Sequence, residues 1–442
     1  MIDLLDERPR LDPAVAYFAR EERHLFFNTA LPDWIVVSAN AAYALSRFDG
    51  ERTVREVAGG LAALGSTVDE AGVAALAAFA RDRGILALGA AAPARAALRA
   101  QTLGSIYLKI TNRCDLECAY CYASSGPEKG AGELDTDEWK ALITEFAAIA
   151  RPGSRMTFTG GEPMIRRDLE ELARFARAQG FGTGLITNGG LIRDEASARR
   201  LGQVFDTVQI SLDGTEATHD RNRGRGAWGR ARAGLRHLEA AGVEYYASAT
   251  ITADNRAEMA DLVAEFGPRL RTGGVLNTGR ARSKDFPRLG NTDYVKTIRD
   301  AGAVGFFEDP SFIEHSRRAP RGHCGASTTT LSVDERGNIF PCQILISREM
   351  SAGNVRAGGV ADLLAQPVWS ELRGGTVDAD SALGCSSCMV RYICGGGCRA
   401  KVYYETQQFR GPDGLCAMWR ESIVNGLFKT AELPGSRSLF VS

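Results

Sequence analysis

Short apolar runs alternate with helix-period stretches through the middle of the chain. Ile106–Ile110, Arg155–Thr159, Thr183–Thr187, Thr207–Leu212, Tyr245–Thr252 and Gly274–Thr278 read as strands. Between them, a stretch opening at Asp135, then Asp168–Gln179, Asp194–Phe205, Ala227–Ala241, Ala257–Phe266 and Asn291–Phe306 read as helices. The helix that opens at Asp135 has Glu138 placed for a capping box and carries Trp139, Leu142, Ile143 and Phe146 on one stripe. About six such strand–helix units predict an α/β fold with a parallel sheet, a partial TIM-like (β/α)6 barrel over residues 105–310. Sites in such barrels sit at the C-terminal ends of the strands.

The first 104 residues follow another rhythm. His24–Phe27 and Trp34–Val37 are short apolar runs with a Pro32-Asp33 turn between them. Ser38 or Asn40 can cap a helix through Ala44, Leu45 and Phe48, ended by Asp49-Gly50, and helices fit Thr53–Leu64 and Asp69–Arg83, with Ile85–Leu88 as a last strand. The sum is a small winged-helix-like unit over residues 1–92. Residues 93–104, Ala-rich with Pro93, read as a linker. Such a unit either reads DNA or grips a peptide, and its helices lack a dense Arg/Lys face.

Composition narrows the classes. Of 442 residues 44% are hydrophobic and 24% charged, which is ordinary for a globular protein, and the formal net charge is −1. Bulk charge therefore argues for neither a nucleic acid nor a membrane surface as partner. No apolar run is long enough to span a bilayer, and the acidic start Met1–Glu7 lacks a signal-peptide core. The expectation is a cytoplasmic protein, where thiols stay reduced. Its ten cysteines stand in tight groups with ligand-like spacing, and so read as metal or cluster ligands rather than disulfides.

The first group follows the first barrel strand. Cys114, Cys118 and Cys121 form C-x3-C-x2-C. Three thiolates on one short loop can hold three corners of a [4Fe–4S] cube and leave the fourth iron open to a chelating small molecule; the bland alternative is a zinc site short of one ligand. The next strand ends run into Thr159-Gly160-Gly161-Glu162-Pro163, Thr187-Asn188-Gly189, Ser211-Leu212-Asp213-Gly214 and Thr250-Ile251-Thr252 with Asn255. One ring of polar groups thus faces one cavity.

Together, the cysteine motif with Tyr120 before its last cysteine, the Gly160–Pro163 turn and Ile210–Gly214 resemble the radical S-adenosylmethionine superfamily. The resemblance implies that the amino and carboxylate groups of S-adenosylmethionine chelate the open iron. It implies that Gly160, Gly161, Glu162 and Pro163 bring backbone to the cofactor's ammonium, and that Ser211 and Asp213 bind the ribose or the methionyl end. Asn188 and Thr252 are further candidates for the same cavity. Tyr120 either shields the cluster or only packs, and Glu162 is either a ligand or structural. The implied chemistry is reductive cleavage of the cofactor to a 5′-deoxyadenosyl radical that abstracts a substrate hydrogen. A low-potential electron donor, a flavodoxin or ferredoxin, would supply the electron.

Seven cysteines remain: Cys324, Cys342, Cys385, Cys388, Cys394, Cys398 and Cys416. A zinc ribbon is one reading of such spacing. The pattern resembles the C-terminal SPASM extension of radical S-adenosylmethionine enzymes, here expected over residues 311–430 with a tail at 431–442. That resemblance implies two auxiliary [4Fe–4S] clusters, three in all. Cys385, Cys388, Cys394 and Cys416 would hold the outer one; Cys324, Cys342 and Cys398 would hold the inner one. Seven thiolates cannot fill two four-cysteine sites, so the inner cluster is left with an open iron or another ligand. His323 and Asp334 are nearby in sequence; the sharper alternative is a substrate thiolate.

Trp34–Ala42 and Phe48–Val54 resemble the peptide-chaperone family of pyrroloquinoline quinone biosynthesis, over roughly residues 5–90. This implies that the leader of a ribosomally made precursor peptide adds a strand to the unit's sheet; a plain structural cap is the alternative. The combined expectation is a peptide maturase that forms an oxidative crosslink, a thioether first. Carbon–carbon crosslinking, oxidative decarboxylation and sulfatase-activating formylglycine synthesis use the same parts. A cluster-bearing electron carrier or regulator is the rival outside enzymes. No catalytic acid or base can be named.

Overall fold

Six parallel strands in sequential order carry the middle of the molecule. The computed structural model describes residues 4–65, 68–88, 102–128, 130–283, 286–302, 308–373, 378–380 and 384–432. Of the expected linker only 102–104 fall among these, and of the expected tail only 431–432.

The first unit contains β1 (Pro9–Leu11), β2 (Val15–Arg20), β3 (Arg23–Asn28) and β4 (Asp33–Val37), then α1 (Ala39–Ser46), α2 (Val54–Ala63), α3 (Glu70–Asp82) and β5 (Leu86–Leu88). Strands β2, β3 and β4 form an antiparallel sheet, and β1 pairs with β5. The Ser38 side chain caps α1; a Thr53–Glu56 capping box starts α2, and Asp69 caps α3. Val54, Val57, Leu61, Val73, Leu76 and Ala80 close the three-helix core.

The barrel-like part runs β6 (Ser105–Thr111), α4 (Thr136–Ile149), β7 (Arg155–Gly160), α5 (Leu169–Ala178), β8 (Gly182–Thr187), α6 (Glu195–Val204) and β9 (Thr207–Ser211). It continues with α7 (Glu216–Arg223), α8 (Ala227–Ala240), β10 (Tyr245–Ile251), α9 (Met259–Phe266), β11 (Leu270–Gly274) and α10 (Asn291–Asp300). Leu108, Phe158, Leu185, Val208 and Tyr245 pair across five strands as one buried rung. That common register brings the strand ends, and the polar loops after them, to one side. The Asp135–Glu138 capping box starts α4, with Trp139, Leu142, Ile143 and Phe146 buried as the periodicity predicts.

Two expectations need correction here. The last strand is Leu270–Gly274, not Gly274–Thr278. It pairs only with β10 among the described strands, and its Arg271 is exposed, so an apolar run does not mark it. The last helix stops at Asp300, with Ala301 as its cap; residues 303–307 of the expected span lie outside the described residues.

The C-terminal part holds α11 (Pro310–Arg318), β12 (Thr330–Val333), β13 (Ile339–Phe340), α12 (Val360–Leu364), α13 (Ser370–Arg373), α14 (Arg391–Cys394), α15 (Arg399–Thr406) and α16 (Cys416–Lys429). Strand β12 adds parallel to β6, and β13 follows antiparallel, which makes one eight-stranded sheet. A separate core joins the two ends of the chain: Leu25, Phe27 and Trp34 pack with Ile313, Val390, Ile393, Ile423, Val424, Leu427 and Phe428. Trp34 Nε1 donates to the Thr430 hydroxyl at 2.8 Å.

Candidate functional site

Backbone crowding fixes the first wall of the site. Gly161 N–H donates to Thr111 O and Glu162 N–H to Arg113 O, both at 2.8 Å, so the β7 end lies against the segment leading to Cys114. Gly160 has φ +146°, and a Cβ there would sit 2.2 Å from Thr111 O; one on Gly161 would sit 2.2 Å from Arg113 O. Only glycine permits that approach.

At these strand ends lies a cavity of about 390 Å³, within the size range of small-molecule sites. Cys114, Cys118, Tyr120, Cys121, Gly160, Gly161, Asn188 and Ser211 line it. Glu162, Pro163, Asp213 and Thr252 do not; they stand behind the wall. Glu162 is fully buried and accepts from the Thr187 hydroxyl (2.8 Å), Asn188 N–H (2.8 Å) and Met164 N–H (3.0 Å). Burial pushes its carboxyl up to about 7 against those three hydrogen bonds. Pro163 begins the short turn after it. Thr252 is buried against Asn255, whose side-chain oxygen accepts from the Thr252 N–H at 2.8 Å.

Asp213 is the hub of a buried polar group. Arg223 donates to both of its carboxylate oxygens (Nε 2.7 Å, Nη2 3.1 Å), Thr250 N–H donates at 2.9 Å, and the Tyr120 hydroxyl donates to Oδ2. Burial alone would raise the Asp213 pKa, but the Arg223 guanidinium overrides it and holds the carboxyl below its ordinary value. The Tyr120 ring also lies under Arg223, 5.4 Å from the guanidinium carbon. Tyr120 and Asp213 thus act as one supporting unit.

Sequence reasoning missed several wall residues: Arg223, Arg280, Tyr107, Tyr122 and Gln343. Arg223 lies on α7, whose inward residues Thr218, His219, Asn222 and Arg223 are all polar, so apolar periodicity gives no signal. Arg280 and Gln343 reach the cavity from turns distant in sequence.

The thiols suit iron. Burial raises Cys114 to about 12 and also raises Cys118, so without a metal these sulfurs are neutral thiols rather than free nucleophiles. A metal would displace their protons. The ten sulfurs also divide by mutual electrostatic influence. Cys114 is influenced by Cys118, and Cys118 by Cys121. Cys342, raised by burial to about 12, is influenced by Cys398 and Cys324. Cys394 is influenced by Cys416 and Cys388, and Cys416 by Cys385 and Cys388. Thiolate is the donor that iron–sulfur cubes take, so the donor chemistry of these groups fits such clusters.

The seven later cysteines come together from separate elements. Cys394 closes α14, Cys398 caps α15 and Cys416 opens α16. Buried Asp413 ties them: its Oδ2 accepts from Cys398 N–H (2.8 Å) and its carbonyl from Cys416 N–H (2.9 Å). Asp334 spends both carboxylate oxygens on its own turn, on Arg336 N–H and on Asn338. The partly buried His323 has Nδ1 3.5 Å from the Thr328 hydroxyl.

Comparison with known proteins agrees with this geometry. The model of the Radical SAM superfamily matches residues 108–266, and that of SPASM, an iron–sulfur cluster-binding domain, matches residues 324–389. Mycofactocin maturase MftC of Mycolicibacterium smegmatis is 30% identical over 324 residues, 70% of this chain and 81% of that protein. The AdoMet-dependent heme synthase of Nitratidesulfovibrio vulgaris is 27% identical over 345 residues, 70% of this chain and 90% of that protein. Streptococcus suis SuiB, solved bound to precursor peptide SuiA, shares the fold with a TM-score of 0.54 at 13% identity, over 92% of this chain and 99% of that one. The chain belongs to the radical SAM superfamily and carries the SPASM iron–sulfur cluster-binding extension.

Proposed function

We propose that the protein is a maturase of a ribosomally made peptide that forms an oxidative crosslink, a thioether in the first instance. The observation that carries this is the shared chamber. The cavity that Cys114, Cys118 and Cys121 line also reaches Gln343 and Ile344, next to Cys342. Tyr122, which lines it too, feels both Cys121 and Cys342. A substrate carbon in the chamber is thus close to both cysteine sets.

The residue roles follow from placement. Cys114, Cys118 and Cys121 would hold a [4Fe–4S] cluster. Gly160, Gly161, Asn188 and Ser211 would line the S-adenosylmethionine site, with Glu162, Pro163, Tyr120, Asp213 and Thr252 fixing that wall. Cys385, Cys388, Cys394 and Cys416 would hold the outer auxiliary cluster and Cys324, Cys342 and Cys398 the inner one, three cubes in all. When bound and reduced, these groups supply a 5′-deoxyadenosyl radical able to take hydrogen from an unactivated carbon. The buried wall keeps water away from that chemistry. The inner set lacks a fourth thiolate, and a cysteine of the substrate is the ligand of matching chemistry.

The winged-helix-like unit at 1–92 would take the leader as an added strand, beside the partial (β/α)6 barrel. A low-potential donor of the flavodoxin or ferredoxin type and a cytoplasmic setting complete the proposal. Modification of a tetrapyrrole is the second reading, favoured by the heme-synthase relative; it gives the first unit no substrate to grip.

The test is direct. Reconstituted protein is given S-adenosylmethionine, a reductant and a cysteine-bearing precursor peptide. Loss of two hydrogens from the peptide, with a change in the auxiliary cluster signal on peptide binding, is expected. An unchanged mass and signal would remove the thioether reading.

A further inference from the structure

Arg280 has a role that the cysteine motif does not announce. It lies on the short turn Gly279–Arg282, after the last barrel strand. Three of its N–H donors bind the cysteine loop: its backbone N–H to Cys121 O (3.0 Å), Nε to Cys118 O (2.7 Å) and Nη1 to Ser125 O (2.7 Å). Gly279 has φ +58°, and a Cβ there would sit 2.2 Å from Cys121 O, so the turn is pressed against the loop. The fourth donor group, Nη2, is buried without a partner, although Arg280 reaches the cavity wall. A buried, unpaired guanidinium N–H is costly, and calls for an acceptor absent from the protein itself.

We propose that Arg280 is a positioning residue that ties the loop in place and gives its spare Nη2–H to sulfur of the cluster held there, raising that cluster's reduction potential. This rests on the reading of Cys114, Cys118 and Cys121 as iron ligands. One-electron reduction adds negative charge to a cluster. Hydrogen bonds to its sulfurs and a nearby fixed cation favour the reduced form.

The test uses the full, anaerobically reconstituted chain, its Arg280→Gln and Arg280→Lys variants, iron analysis, and redox titration of the electron-spin signal that responds to S-adenosylmethionine. Arg280→Gln is expected to keep its iron and lower the reduced-to-oxidised ratio at a fixed potential roughly tenfold, about 59 mV for one electron. Arg280→Lys, which keeps the charge, should recover most of that shift. A potential unchanged in Arg280→Gln, or equal shifts in both variants, would overturn the proposal. So would loss of the loop's iron from both variants with the auxiliary iron retained, which leaves a structural tie only. Absence of any S-adenosylmethionine-responsive signal in the unaltered chain would instead sink the ligand reading.

Discussion

Cys114, Cys118 and Cys121 come from one loop, whereas the other seven cysteines are gathered from residues 324 to 416. The two regions invert each other's dependence on the fold. The loop is local in sequence, yet its support is remote: Arg280 holds its carbonyls, and Tyr120 within it reaches the Asp213–Arg223 pair. The seven later cysteines are remote in sequence, yet most rest on apolar packing. Cys388 and Cys394 pack against the core that includes the sheet of the first unit, and Cys324, Cys342 and Cys398 against the core of the large sheet. Polar support suits a site that must hold charge; apolar support suits one that must join two ends of the chain.

Removing one ligand from each region gives the largest and sharpest contrast. Cys118→Ala should cost about four iron per chain and abolish production of 5′-deoxyadenosine, with the protease resistance of the first unit unchanged. Cys394→Ala should also cost about four iron, but should speed proteolytic release of the first unit, because the helix it closes packs on α16, which meets the strands of Leu25, Phe27 and Trp34 in the same core. Equal protease sensitivity in the two variants would break the comparison.

The polar support can be tested without touching a cysteine. Asp213→Leu leaves Arg223 buried and unpaired, and should cost about 3–5 kcal/mol, read as a fall in the thermal midpoint. Asp213→Leu with Arg223→Met should recover much of that loss, since no lone charge remains. A double variant as unstable as the single one would locate the stability elsewhere. Glu162 gives a somewhat smaller effect with a defined pH window. Its folded-state pKa is raised to about 7 from 4.5 by burial. Between those values the folded chain holds a proton that the unfolded chain releases, so its stabilising contribution is complete below pH 4.5 and is lost as pH rises through 7. The stability of the unaltered chain should therefore fall relative to Glu162→Gln across that window, by on the order of 3 kcal/mol. Parallel pH curves for the two proteins would refute the shift.

Much of this was legible where local rules and the fold agree. The Asp135–Glu138 box, the α4 stripe and the strand-end loops all sit where pattern reasoning puts them. The failures have separate causes. Strand β11 carries an exposed Arg271 and so lacks an apolar run. Helix α7 turns a polar face inward, because its burial is paid by Asp213 and not by apolar contact. Asp213 stands at a strand end like the residues that line the cavity, yet hydrogen bonds to its oxygens hold it behind the wall, which spacing does not reveal. Arg280 acts on cysteines far away in the chain, and no spacing rule connects them.

The smallest effect comes from an exposed tie between the two regions. Arg356 of the C-terminal part donates to both carboxylate oxygens of Glu138 on α4, Nε at 2.6 Å and Nη2 at 2.8 Å. The Arg356 hydrogen bond, then the Asp135 backbone N–H, hold the Glu138 pKa at about 2, below its ordinary 4.5. A depressed acid gives its stabilisation above the unfolded value and loses it as pH falls. The pair is open to solvent, so Arg356→Ala should cost only a small fraction of what Asp213→Leu costs at neutral pH, read as a slight fall in the thermal midpoint. That cost should shrink in high salt, since exposed charges are screened. It should also fade as pH drops from 4.5 toward 2, opposite in direction to the Glu162 effect. A cost as large as that of Asp213→Leu, or one indifferent to salt, would mean that surface charge rather than buried packing joins the two regions.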